Sequence, residues 1–65
     1  MSAVRVHGCK GVAESEKAVL VECDDFDGPI WVPKSQIDDD SDVYAKDTDG
    51  TLVITEWFAT KKGLG

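Results

Sequence analysis

No run of the roughly 20 apolar residues that a membrane-spanning helix requires occurs in this chain, and residues 1–10 lack the apolar stretch of a secretory leader. The expected setting is therefore cytoplasmic, with no membrane role. Cysteine is scarce. Cys9 and Cys23 could form one disulfide, but a reducing compartment favours two buried or partly buried thiols. Zinc ligation by His7, Cys9 and Cys23 with an aspartate has only half the usual pattern of paired ligands, so the expectation is packed thiols and an exposed histidine, with no metal or other cofactor. There is no Gly-rich phosphate loop, and Ser35 has no glycine elbow around it. Glu16 with Glu22, or Glu56 with Asp49, could be drawn as acid/base pairs, yet any acidic chain offers such pairs. Neither an internal repeat nor a low-complexity tract is present. These gaps argue against an enzyme.

Basic residues are also few, with seven Lys and Arg against 13 Asp and Glu and a net charge of −6. The imbalance is local. Between Asp24 and Asp49 there are nine acids, namely Asp24, Asp25, Asp27, Asp38, Asp39, Asp40, Asp42, Asp47 and Asp49, against Lys34 and Lys46, while the remainder is close to neutral. Nucleic-acid binders usually present a basic face, because much of their affinity comes from phosphate contacts and counterion release. This chain presents the reverse. Asp38, Asp40 and Asp42 alternate as calcium loops do, but Val43 stands where such a loop needs glycine and the bidentate glutamate is absent. The acids read as a solvated loop.

Sixty-five residues make one domain, 1–65, and a chain of this size buries only about 60% of the surface it exposes when unfolded. Residues 3–6 offer a short β-prone start, and 7–16 mix glycines, small residues and charges in the manner of a loop. Residues 17–23 place Val19, Val21 and Cys23 on one face of a strand. The Asp and Gly of residues 24–28 then make a hairpin loop, and residues 29–32 return as a second strand closed by Pro33. Residues 34–37 suit a tight turn that tucks Ile37 under the sheet, 43–45 a brief edge strand, 47–50 a turn, and 51–54 the last strand.

A short helix should follow, with Thr55 as N-cap, Glu56 in the first turn, Lys61 and Lys62 in the last, and Gly63 at the left-handed C′ position. Leu64 would fold back on it. The expected fold class is mainly β (α+β): a small antiparallel barrel of the SH3 or OB type, or a curled sheet, of about four to five short strands with one C-terminal helix.

Candidate binding residues are aromatic and charged. Trp31 alternates with Ile30 and Val32, so it is core if a closed barrel covers both faces and exposed if the sheet is open. Trp57 and Phe58 point about 100° apart on the helix, so one of them lies near the surface, and Lys61 falls one turn after Trp57. Two functions compete. In the first, the acidic face of Asp38, Asp39, Asp40 and Asp42 docks a non-enzymatic module on a basic partner protein, with Trp31, Tyr44 or Trp57 as anchor. In the second, Lys34, Lys61 and Lys62 with the aromatics bind single-stranded nucleic acid, against the net charge. Self-association through an open sheet edge is a further possibility.

The strings W-V-P-K-S-Q-I (residues 31–37) and T-L-V-I-T-E-W-F-A-T-K-K-G-L (51–64), preceded by K-A-V-L-V-E (17–22), resemble short bacteriophage and prophage proteins of unassigned role, and the likeness runs from Glu14 to Leu64. The resemblance implies a phage origin and a place among replication or host-takeover genes. It offers no catalytic residues.

Overall fold

In the computed structural model, which describes residues 2–63, four strands and one helix follow in chain order: β1 (Ala3–Glu14), β2 (Ala18–Cys23), β3 (Ile30–Pro33), β4 (Asp49–Thr55) and α1 (Glu56–Lys62). Every pairing is antiparallel and the sheet order is β3-β2-β1-β4. Among the described residues the ladder is not closed, since β3 and β4 form its two edges. One turn of 3-10 helix (Lys34–Gln36) leaves β3 and delivers Ile37 to a single bridge with Ile54 on β4. Ile37 is thus tucked against the core as its sequence position suggested. The fold-back expected at Leu64 lies outside the described residues.

The largest departure from expectation is β1, a 12-residue strand where residues 7–16 read as a loop. Two irregularities hide it. Opposite β4 the register jumps between Val6 and Cys9, with Gly8 at φ 70; opposite β2 it jumps between Gly11 and Ala13. Each inserts an extra residue that bends the strand and breaks the period of two by which strands are recognised. The bend lets one strand serve both ladders.

Inward-facing Val6, Cys9, Val19, Val21, Val32, Leu52 and Ile54 form the core, closed at one end by Phe58 and Ala59 of the helix. The expected edge strand at 43–45 does not form. Val43 is instead fully buried as a loop residue of the core, and the chain beyond it docks on β1. The Gly11 N–H donates to the Thr48 carbonyl and the Gly11 carbonyl accepts from Asp47 N–H, at 2.8 and 2.9 Å. A Cβ at Gly11 would sit 2.1 Å from the Ala45 carbonyl oxygen, so this approach needs glycine.

Cys9 and Cys23 also differ from expectation. They face each other in register across β1 and β2 and are joined in a disulfide, S–S 2.03 Å. The register supplies the reason: neighbouring strands with directly opposed, inward side chains bring the two sulfurs together. Bonded sulfurs are also withdrawn from metal ligation. Among the described residues no group of three or more His, Cys, Asp or Glu is placed to hold a metal ion, and no helix is long and apolar enough to cross a membrane.

The helix follows its local signals. Thr55 Oγ1 accepts the Phe58 N–H at 3.2 Å, Glu56 lies in the first turn, Lys61 and Lys62 in the last, and Gly63 adopts φ 71. The Thr55 hydroxyl also donates to Gln36 Oε1, tying the cap to the 3-10 turn.

Candidate functional site

Seven of the nine candidate residues fall in three separate places, and Asp40 and Asp42 lie on the loop beside the first. Lys34, Asp38, Asp39 and Tyr44 line one open groove together with Ile37 and Ser41. Trp57 and Lys61 line another with Ser2, Thr55, Glu56 and Thr60. Trp31 belongs to neither. It is 49% exposed on the outer side of β3, the outcome expected of an open sheet. The pleat gives the reason: Val32 takes the buried side of the edge strand β3, and Trp31, its neighbour in sequence, takes the other.

The acidic groove is built on a loop that runs along the outer edge of β4. Asp38 N–H donates to the Val53 carbonyl at 2.8 Å and Asp42 N–H to the Thr51 carbonyl at 2.9 Å, so the loop is strapped to the strand at both ends. Between these straps sits Ser41, the one buried polar side chain among the described residues. Its hydroxyl donates to the Val43 carbonyl at 2.8 Å and accepts the N–H groups of Val43 at 3.2 Å and Val53 at 3.0 Å. One side chain thereby satisfies two buried backbone donors, and it holds the turn that puts Tyr44 outside while Val43 goes in.

The aspartates have structural duties as well. Asp38 accepts the Asp40 N–H at 3.0 Å in an Asx turn, and Asp42 accepts the Thr51 N–H at 3.2 Å. The side chains of Asp39 and Asp40 make no hydrogen bond or ion pair among the described residues, and all four aspartates are exposed. Tyr44 is 60% exposed. It lines this groove with Ile37, Asp38 and Asp39, a combination suited to an incoming cationic side chain. Lys34 is not available as a free cation, because its ammonium is paired with Glu14. That pairing, followed by the Lys46 N–H, holds the Glu14 carboxyl below its ordinary value.

At the second groove the Lys61 ammonium lies 4.8 Å from the centroid of the Trp57 ring, and Trp57 is 60% exposed. Phe58 is buried, so the helix divides its two aromatics as their spacing required. The lysine already occupies a face of the indole, which leaves less of it open for stacking.

Sequence reasoning missed Ile37 and Ser41 as groove residues. Ile37 carried a signal, as an apolar residue just past a proline turn; Ser41 carried none, because its partners lie up to 12 positions away. No protein-family model, curated protein or solved structure matches this chain.

Proposed function

We propose that the chain is a non-enzymatic, acidic protein-interaction module whose groove at Ile37, Asp38, Asp39 and Tyr44 docks a basic segment of a partner protein, as an adaptor or an inhibitor of a protein that handles nucleic acid. The observation that carries this is that the exposed Tyr44 lines one groove with Asp38 and Asp39, next to a turn whose backbone the buried Ser41 hydroxyl bonds at Val43. A loop backbone ordered before binding loses little entropy on association, and the surrounding acids speed encounter with a positive partner. The bacteriophage setting belongs to the same proposal, as does the finer reading of the fold as a small SH3- or OB-like barrel, toward which the Ile37–Ile54 bridge points. A cytoplasmic location fits that setting; the Cys9–Cys23 disulfide pulls against it, since disulfides persist mainly in oxidising compartments.

The test is a pull-down from nuclease-treated bacterial lysate with the wild-type chain and a variant carrying Asn at Asp38, Asp39, Asp40 and Asp42. A stoichiometric basic protein that the wild type retains and the variant loses supports the reading, with Tyr44→Ala weakening it at least tenfold. Equal retention by the variant refutes it.

A second reading, single-stranded nucleic-acid binding, is favoured only by the Trp57–Lys61 groove. Titrating labelled single strands at low salt decides it: binding there, lost on Trp57→Ala, would replace the first reading, and no binding removes the second.

A further inference from the structure

We propose that Glu14 is a positioning residue of the acidic groove: its carboxylate joins the Lys34 and Lys46 segments and keeps the Lys34 ammonium from taking the place meant for an incoming cation. The inference deepens the docking of a basic segment and rests on that reading.

Glu14 is the last residue of β1 and stands in register with Val19, which is fully buried. Paired residues share a face, so Glu14 lies on the core side of the sheet, where the loop carrying Val43 completes the core. Its two oxygens reach different segments. Oε2 accepts the Lys34 ammonium at the exit of β3, and Oε1 accepts the Lys46 N–H at 3.2 Å on the loop. Lys34 lines the groove, and so does Tyr44, two residues before Lys46. The backbone between is held as well, since Thr48 Oγ1 accepts the N–H groups of Tyr44 at 3.1 Å and Ala45 at 3.2 Å.

Charge gives this bridge a purpose beyond fixing backbone. Lys34 is the one cation among the groove's described residues, and it shares the groove with Asp38 and Asp39. Released from Glu14, its flexible stem would turn to those carboxylates, and the chain would fill its own site. Exposed ion pairs are individually weak, so geometry decides which acid Lys34 takes. Glu14 is anchored for the task by the Lys46 N–H, whereas Asp38 already accepts the Asp40 N–H. The pairing with Lys34 also holds the Glu14 carboxyl below its ordinary value, which keeps the bridge charged at neutral pH.

Two-dimensional NMR on the full chain, with a hexa-arginine peptide as the probe, tests this. Glutamine at position 14 keeps a side-chain carbonyl for the Lys46 N–H and removes the charge that Lys34 needs; the site is exposed and the residue isosteric, so the variant keeps the fold. The expected result is that Glu14→Gln weakens peptide binding about threefold at 0.1 M salt and much less at 1 M. In a Lys34→Met background the same substitution should change affinity by less than about twofold. Without peptide, the side-chain carboxyl resonances of Asp38 and Asp39 should move in Glu14→Gln, as Lys34 turns to them, and return when Lys34→Met is added. A loss of binding that persists in the Lys34→Met background would make Glu14 a support of the loop alone and overturn the proposal, as would aspartate resonances that stay in place. Failure of the docking reading looks different: the wild type then binds no peptide at the groove, while the peptide-free arm still decides whether Glu14 keeps Lys34 from the aspartates.

Discussion

Removing the Ser41 hydroxyl tests how the acidic loop is held. In Ser41→Ala the N–H groups of Val43 and Val53 lose their shared acceptor, while the outer straps at Asp38 and Asp42 remain. Each buried donor left without a partner costs about 1–3 kcal/mol. Part of that is recovered as the loop loosens and water enters, so the expected loss is about 2–4 kcal/mol. A chain of 65 residues has a total stability of about 3–10 kcal/mol, so the loss is a large share of it. With a urea slope near 1 kcal/mol/M, the midpoint should fall by about 2 M or more at an unchanged slope. Hydrogen exchange at the Val53 amide should accelerate more than at Val19 or Val21 in β2. Ser35→Ala, at an exposed site, should stay within about 0.5 kcal/mol of the wild type. A Ser41→Ala loss below about 1 kcal/mol, or unchanged protection of Val53, would show that the loop is held by its straps alone.

Three further outcomes are expected. Reducing the Cys9–Cys23 disulfide, whose sequence separation is 14, should cost about 3 kcal/mol through the entropy of the unfolded chain; denaturant midpoints with and without reductant measure it, and no change would mean that the β1–β2 pairing already confines that segment when unfolded. Thr55→Ala should destabilise by about 1 kcal/mol, read in the same assay and as faster exchange of the Phe58 amide. Because the folded Glu14 carboxyl is held below its ordinary value of 4.5, its contribution is present above that pH and fades as pH falls through the lowered value. Carboxyl NMR titration should show Glu14 moving upward in Lys34→Met, and an unmoved titration would mean that the ion pair does not form in solution.

What the sequence made legible was what local rules control. The β2–β3 hairpin was readable because alternating Val19, Val21 and Cys23, an Asp- and Gly-rich loop and Pro33 are all adjacent signals. The same holds for the helix, whose cap, charges and terminal glycine lie within eight residues of one another, and for Trp57 with Lys61, four apart. β1 was illegible because its bulges at Gly8 and Gly11 erase the alternation, and a bend that serves two ladders is a tertiary property. Val43 was misread for the related reason that three apolar residues at an acidic boundary look alike whether one is strand or plug. The disulfide, the Glu14 bridge and the duties of Ser41 all depend on register or on contacts across the chain, which no window of sequence contains.

The acidity itself has two origins that must be separated before it is read as function. Asp38 and Asp42 accept backbone N–H groups, so turn formation alone would favour aspartate, asparagine or serine at those positions. Turn chemistry does not require charge, however, and Asp39 and Asp40 make no such bond among the described residues while standing at the exposed tip. Asparagine keeps a side-chain carbonyl acceptor and removes the charge, which is why replacement by Asn, rather than by Ala, isolates electrostatics from folding. If the Asn variant folds with wild-type stability, the loop never needed four negative charges to exist. Their presence beside Tyr44 then requires a reason outside the fold, and a positively charged partner supplies one.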